Sequence, residues 1–227
     1  MNAALAPRAS HPPFPDPHRL GRGEGEGGAG DVPGHGAGGP APKRTIVGFG
    51  FWVFLLSDII MFAAIFAAFA VLRDATDGGP GGAQLFDLAK AKLETICLLF
   101  SSFACGIALI AAKCRSKGWA QVWLIITGVL GAVFLTQEFE EFAGMIVAGA
   151  GPQRSAFLSA FFTLVGCHGL HVTCGLIWLL VMIAQIQTLG FRPPVMRRLM
   201  CFGLFWHALD IIWVAVLTIV YLMGARA

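Results

Sequence analysis

From residue 46 onward the chain alternates between long apolar runs and short stretches of polar punctuation. A bilayer core of ~30 Å takes about 20 helical residues at ~1.5 Å each. Five runs meet that length, and they predict spans over residues 46–72, 93–112, 119–142, 155–188 and 199–222. Arg73, Asp74, Asp77 and the Gly78-Gly79-Pro80-Gly81-Gly82 turn end the first, and Lys113, Arg115 and Lys117 end the second. The third loses its apolar character at Gln137 and runs into Glu138, Glu140 and Glu141. The fourth is long enough to tilt, and Arg192, Pro193, Pro194, Arg197 and Arg198 separate it from the fifth. The pattern predicts an all-α polytopic membrane protein, a bundle of five transmembrane helices over residues 46–227.

Residues 1–45 are of another kind. They hold eight of the twelve prolines and ten of the 29 glycines, too little apolar surface to offset the entropy of ordering, so they predict a disordered cytoplasmic tail. The tail lacks the basic start and apolar core of a signal peptide. His11, His18 and His35 are too irregularly spaced to suggest a metal site. The chain is 56% hydrophobic and 13% charged, where a soluble domain carries about a quarter charged residues. That excludes a soluble enzyme and a nucleic-acid binder. None of the six cysteines forms a Cys-x-x-Cys pair and five lie within apolar runs, the pattern of small buried hydrophobes.

Five spans put the termini on opposite faces. Lys43, Arg44, Lys113, Arg115, Lys117, Arg192, Arg197 and Arg198 gather on one side, and Arg73, Lys90, Lys92, Arg154 and Arg226 on the other. The excess of basic residues points to a cytoplasmic N-terminus and an outward C-terminus.

Candidate chemistry lies where polar groups fall at membrane depth. Asp58 sits in the first span, His168 and His171 in the fourth, and His207 and Asp210 in the fifth. A carboxylate at the bilayer centre costs ~2.5–3.5 kcal/mol on insertion scales, so these groups must face protein, water or one another. His207 and Asp210 share a helical face at i, i+3. Ser155, Ser159, Thr163, Cys167, His171 and Gly175 form a ridge of small or polar residues along the fourth span, suited to close helix approach. We expect Asp58, His168, His171, His207 and Asp210 to form one buried polar cluster. Structural pairing is the favoured reading of it. A proton-linked path, or a metal or haem site using His168-x-x-His171, are the sharper alternatives, and no catalytic, cofactor-binding or metal-ligating residue is assigned. Glu138 lies ~28 Å along its helix from Trp119, which predicts a hydrated position at the outer interface. Glu141, one turn on, and Arg154 are expected beside it as an ion-pairing set.

These residues carry a resemblance. The runs RSAFLSAFFTLVGCHGLHVTCGLIW (Arg154 to Trp178) and LFWHALDIIWVAVLTIVYLMG (Leu204 to Gly224) resemble the last two helices of subunit III of haem–copper terminal oxidases. GFGFWVFLLSDIIMF (Gly48 to Phe62) is similar to the start of that subunit's common bundle, and Glu138-x-x-Glu141-Phe142 to its third-helix end. Members that oxidise cytochrome c commonly have seven helices; five, lacking the first two, is closer to the bo-type ubiquinol oxidases.

The resemblance implies a non-catalytic subunit of a proton-pumping quinol oxidase in the bacterial inner membrane. Such a subunit would pack beside subunits I, II and IV, stabilise subunit I, bind phospholipid and sustain proton uptake. Low-spin haem b, a high-spin haem, copper and ubiquinone would reside in subunit I, with no cofactor in this chain. Asp58 matches the family's intramembrane carboxylate, but is Asp where cytochrome c oxidases usually have Glu. A subunit III of a cytochrome c oxidase is the nearest alternative; a haem-bearing membrane anchor and a small proton-coupled transporter are alternatives of other classes.

Overall fold

A computed structural model describes residues 43–222 and Gly224. The greater part of the expected disordered tail, including His11, His18 and His35, and Arg226 at the other end lie outside the described residues. The chain divides into two units at Val47 and Gly48; of the first, the described part is the opening of helix α1. Among the described residues there is no strand, and five helices are long and apolar enough to cross a membrane. In chain order the helices are α1 (Lys43–Leu72), α2 (Gly82–Leu85), too short to span, α3 (Leu88–Lys113), α4 (Lys117–Val147), α5 (Ala156–Leu189) and α6 (Pro193–Val216). The last continues as a π-helical turn over Leu217–Leu222.

The helix ends follow capping chemistry more closely than hydropathy. α3 starts at Leu88, five residues ahead of the expected boundary, because the Asp87 carboxylate accepts from the backbone N–H groups of Ala89 at 2.9 Å and Lys90 at 3.4 Å. Lys90, Lys92 and Glu94 are thereby helical. α6 starts at Pro193, six residues early, with proline in its first turn, where the missing N–H is harmless. α5 begins on Ser155, whose hydroxyl accepts from the Leu158 N–H at 3.2 Å, and ends at Gly190, with φ of 64° in the left-handed region. α4 runs five residues past the expected end.

The core lies among α3, α4, α5 and α6. α3 packs against α4 and α6, and α5 against α4 and α6. Small residues on α3 and α4, among them Ala104, Ala108, Ala112 and Ala120, are buried at these interfaces and allow close backbone approach. The Ser101 hydroxyl donates to the Thr127 carbonyl at 2.9 Å across the α3–α4 contact. Trp206 of α6 fits a slot cut by two glycines: a Cβ on Gly131 or on Gly175 would lie 2.9 Å from its ring. Its indole N–H donates to Ser101 Oγ at 3.1 Å, and the Trp213 N–H donates to Thr95 Oγ1 at 3.0 Å.

α1 is attached differently. Its buried residues Leu55, Phe62 and Phe69 recur every seven positions in a narrow seam, and 17% of its most apolar window is buried, against 44% in α3.

Candidate functional site

His168, on α5, is completely buried in a box of aromatic rings. Trp213 lies at 5.2 Å between centroids, Phe134 at 5.8 Å and Phe62 at 6.3 Å. Neither ring nitrogen has a hydrogen-bond partner among the described residues. His171, one turn on, is edge-on to Phe62 at 5.2 Å, and its Nδ1–H donates to the Cys167 carbonyl of its own helix at 2.7 Å. His207 of α6 has Nδ1 2.7 Å from Ser102 Oγ of α3. Asp210 is half-buried with Oδ1 unpartnered, and it borders a small cavity together with His168. Asp58, on α1, is half-exposed and makes no hydrogen bond among the described residues.

The expected cluster is therefore divided. His168 and Asp210 meet at one cavity, whereas His207 is tied to Ser102 of α3, a hydroxyl that Asp210 also neighbours, His171 is tied to its own backbone, and Asp58 lies on α1 near Cys167. No ion pair joins these acids and imidazoles; Arg73 with Asp74, at 3.4 Å, is the ion pair found among the described residues. The reason is competition from nearer groups. A hydroxyl on α3 meets His207, and a histidine can reach back to the carbonyl four residues earlier in its own helix. The ridge on α5 divides in the same way: Thr163 donates to the Ser159 carbonyl at 2.7 Å within the helix, while Gly175 admits Trp206. The nitrogens of His168, His171 and His207 thus face separate surroundings.

A second polar region lies toward the other end of α6. Glu138 is 5% exposed rather than hydrated, because α4 continues for nine residues beyond it, ~13 Å of helix. Glu94 of α3 is fully buried, and both of its oxygens are unpartnered. Carboxylate oxygens of Glu94, Glu138 and Glu141 lie within 4.8 Å of one another. The Tyr221 hydroxyl donates to Glu141, at 3.3 Å from Oε1 and 3.4 Å from Oε2. The π-helical turn carries Tyr221 to this position, where its ring packs on Phe86 at 4.9 Å.

Arg154 does not join the glutamates. It is exposed in the loop before α5 and lines an open surface cavity with Asp77, Gln153 and Ser155, while the glutamates face the interior of the bundle. Glu94 is the functional candidate that sequence reasoning missed. Its signal was available: it lies four, seven and eleven positions before Leu98, Ser101 and Cys105, all buried on one face. Carboxylate oxygens suit hard cations, so this trio is the described set best able to hold a metal ion.

Comparison with known proteins bears on both regions. The family model for cytochrome c oxidase subunit III matches residues 36–225, which include every residue of the two polar regions. The chain is 52% identical over 177 residues to cytochrome bo(3) ubiquinol oxidase subunit 3 of Pseudomonas aeruginosa, covering 78% of this chain and 85% of that protein. To the protein of the same name from Pseudomonas putida it is 46% identical over 182 residues, covering 80% and 87%. To quinol oxidase subunit 3 of Bacillus subtilis it is 41% identical over 175 residues, covering 77% and 86%. With five apolar helices and this extent of likeness, the chain belongs to the subunit III family of the haem–copper oxidases, multi-pass proteins of bacterial membranes.

Proposed function

We propose that this chain is the subunit III of a bo-type ubiquinol oxidase, which oxidises ubiquinol, reduces dioxygen to water and pumps protons. The 52% identity to a ubiquinol oxidase subunit 3 across most of both chains carries the reading. Relatives at 40–52% identity are named for quinol oxidation, which weighs against cytochrome c as the donor. In this reading the chain holds no redox centre, and haem b, a high-spin haem, copper and ubiquinone belong to subunit I. The separate surroundings of the three histidines support that division.

Subunits I, II and IV and phospholipid are the partners. The exposed apolar face of α1, with Phe49 at 69% and Val71 at 82%, supplies surface for a neighbouring subunit or lipid. The role of the chain is to stabilise subunit I and sustain proton uptake, with Asp58, half-exposed beside the buried Leu55 and Phe62 of α1, as the group nearest such a role. The basic residues around Lys113–Lys117 and Arg192–Arg198 support a cytoplasmic N-terminus and a periplasmic C-terminus.

The test is purification of the tagged chain from its own membrane. It should bring with it a haem–copper subunit whose oxygen consumption is driven by ubiquinol and not by cytochrome c. Recovery of a lone chain, a Soret band on the chain separated from its partners, or activity with cytochrome c overturns the reading. Cys114, exposed at the α3–α4 turn, should react with an impermeant thiol reagent from the cytoplasmic side; reaction from the periplasm reverses the topology.

A further inference from the structure

The cavity shared by His168 and Asp210 has a volume of about 10 Å³ and is walled by Leu98, His168, Val172, Trp206, Leu209 and Asp210. About 10–15 Å³ on this measure holds one water, provided that polar partners are present. Four of the six walls are apolar or, in Trp206, mostly so. The other two bring buried atoms without partners: the ring nitrogens of His168 and Oδ1 of Asp210. Trp206, the remaining wall with a polar atom, has its N–H committed to Ser101.

From this juxtaposition we infer a binding site for a single water molecule, which bridges His168 of α5 to Asp210 of α6 within the membrane. The fit is one of size and of chemistry. The space admits nothing larger than a water, and a buried polar group left unsatisfied is expensive. A neutral imidazole has one N–H and one bare nitrogen; water complements either, accepting from the first or donating to the second. Its remaining hydrogen serves the Asp210 carboxylate, which only accepts when ionised. A direct histidine–aspartate bond would fix one tautomer, whereas the bridge serves both. His168 is held in its aromatic box by Trp213 and Phe134, so the water spans what the ring cannot. The bridge joins α5 to α6 at a level where they otherwise meet through apolar side chains, and it does so whatever the electron donor of the assembled oxidase.

The test uses the intact membrane complex. A cryo-EM map that resolves ordered waters should show a peak within hydrogen-bond distance of both His168 and Asp210. The same map with other buried waters visible and none here overturns the inference, as does a direct bond between the two side chains. X-ray hydroxyl-radical labelling gives an independent readout, because bound water marks side chains that bulk solvent does not reach. Trp206 and Leu209 should be labelled in the native complex. They should lose that label in His168→Phe, which fills the ring's volume without a polar atom, and keep it in Asp210→Asn, which retains an acceptor. If His168→Phe fails to assemble, Asp210→Leu should remove the label from the other side. Unchanged labelling in an assembled His168→Phe or Asp210→Leu complex overturns the site.

Discussion

The two polar regions of this bundle handle the expense of polarity in lipid in opposite ways. Around His168, His171, His207 and Asp210 the polar groups are distributed, each with its own surroundings: an aromatic box, a carbonyl of the same helix, a hydroxyl on α3, a small cavity. Around Glu94, Glu138 and Glu141 three groups of one kind are concentrated, and the Tyr221 hydroxyl donates to Glu141 alone. Imidazoles, which both donate and accept, can be satisfied singly by whatever lies near, as His171 and His207 are. Carboxylates, which only accept when ionised, are left looking for donors or a cation. The contrast teaches that depth in the membrane alone does not define a functional group; the mix of donors and acceptors around it matters as much.

The comparison can be broken most forcefully at Trp213, which touches both regions. Its ring is fully buried, 4.6 Å from Phe134, 5.2 Å from His168 and 6.2 Å from Tyr221. Trp213→Ala should destabilise the subunit by about 3–5 kcal/mol, read as a lowered melting temperature of the complex or dissociation of this chain from it. A smaller loss would mean that the two regions are held independently. Ser102→Ala comes next. It strips His207 of its partner and should cost about 1–2 kcal/mol, while Asp210→Ala should leave the Ser102–His207 contact in place. Equal effects of the two substitutions would restore the acid–imidazole pairing that the sequence suggested.

Tyr221→Phe removes the hydroxyl given to Glu141. At 3.3–3.4 Å the bond is long, so a loss of about 0.5–1.5 kcal/mol is expected in a denaturation series on the complex. The smallest effect belongs to Arg154→Ala. Since its side chain does not reach Glu138 or Glu141, stability should stay within about 0.5 kcal/mol of the unaltered protein; a larger drop would mean that the carboxylates draw on it after all.

The five spans were legible in the sequence because lipid imposes length and apolarity so strictly. Their ends were less so. Leu88 and Pro193 begin helices within polar sequence, since the Asp87 cap and proline's fixed φ act locally and leave no mark on average hydropathy. The polar positions at depth were legible, but not their partners. Which neighbour a side chain meets depends on the rotation of each helix and on how close its neighbour comes. Ser102 answers His207, and Trp206 enters between Gly131 and Gly175, through contacts between helices remote in sequence. Glu138 was misplaced because a run of acids reads as a helix end, while α4 carries it inward and on to Val147.

The wide turn at Leu217–Leu222 gives the chain slack of one residue. Its i to i−5 bonds enclose one residue more than the ordinary ladder, so deleting one position there would let the ladder relax to i to i−4 pairing and leave everything before it in phase. Closing the turn to that pairing with all its residues kept would instead rotate Tyr221 around the axis, away from Glu141. What resembles a lapse in helical regularity is thus the joint that aims the sole phenol of the protein.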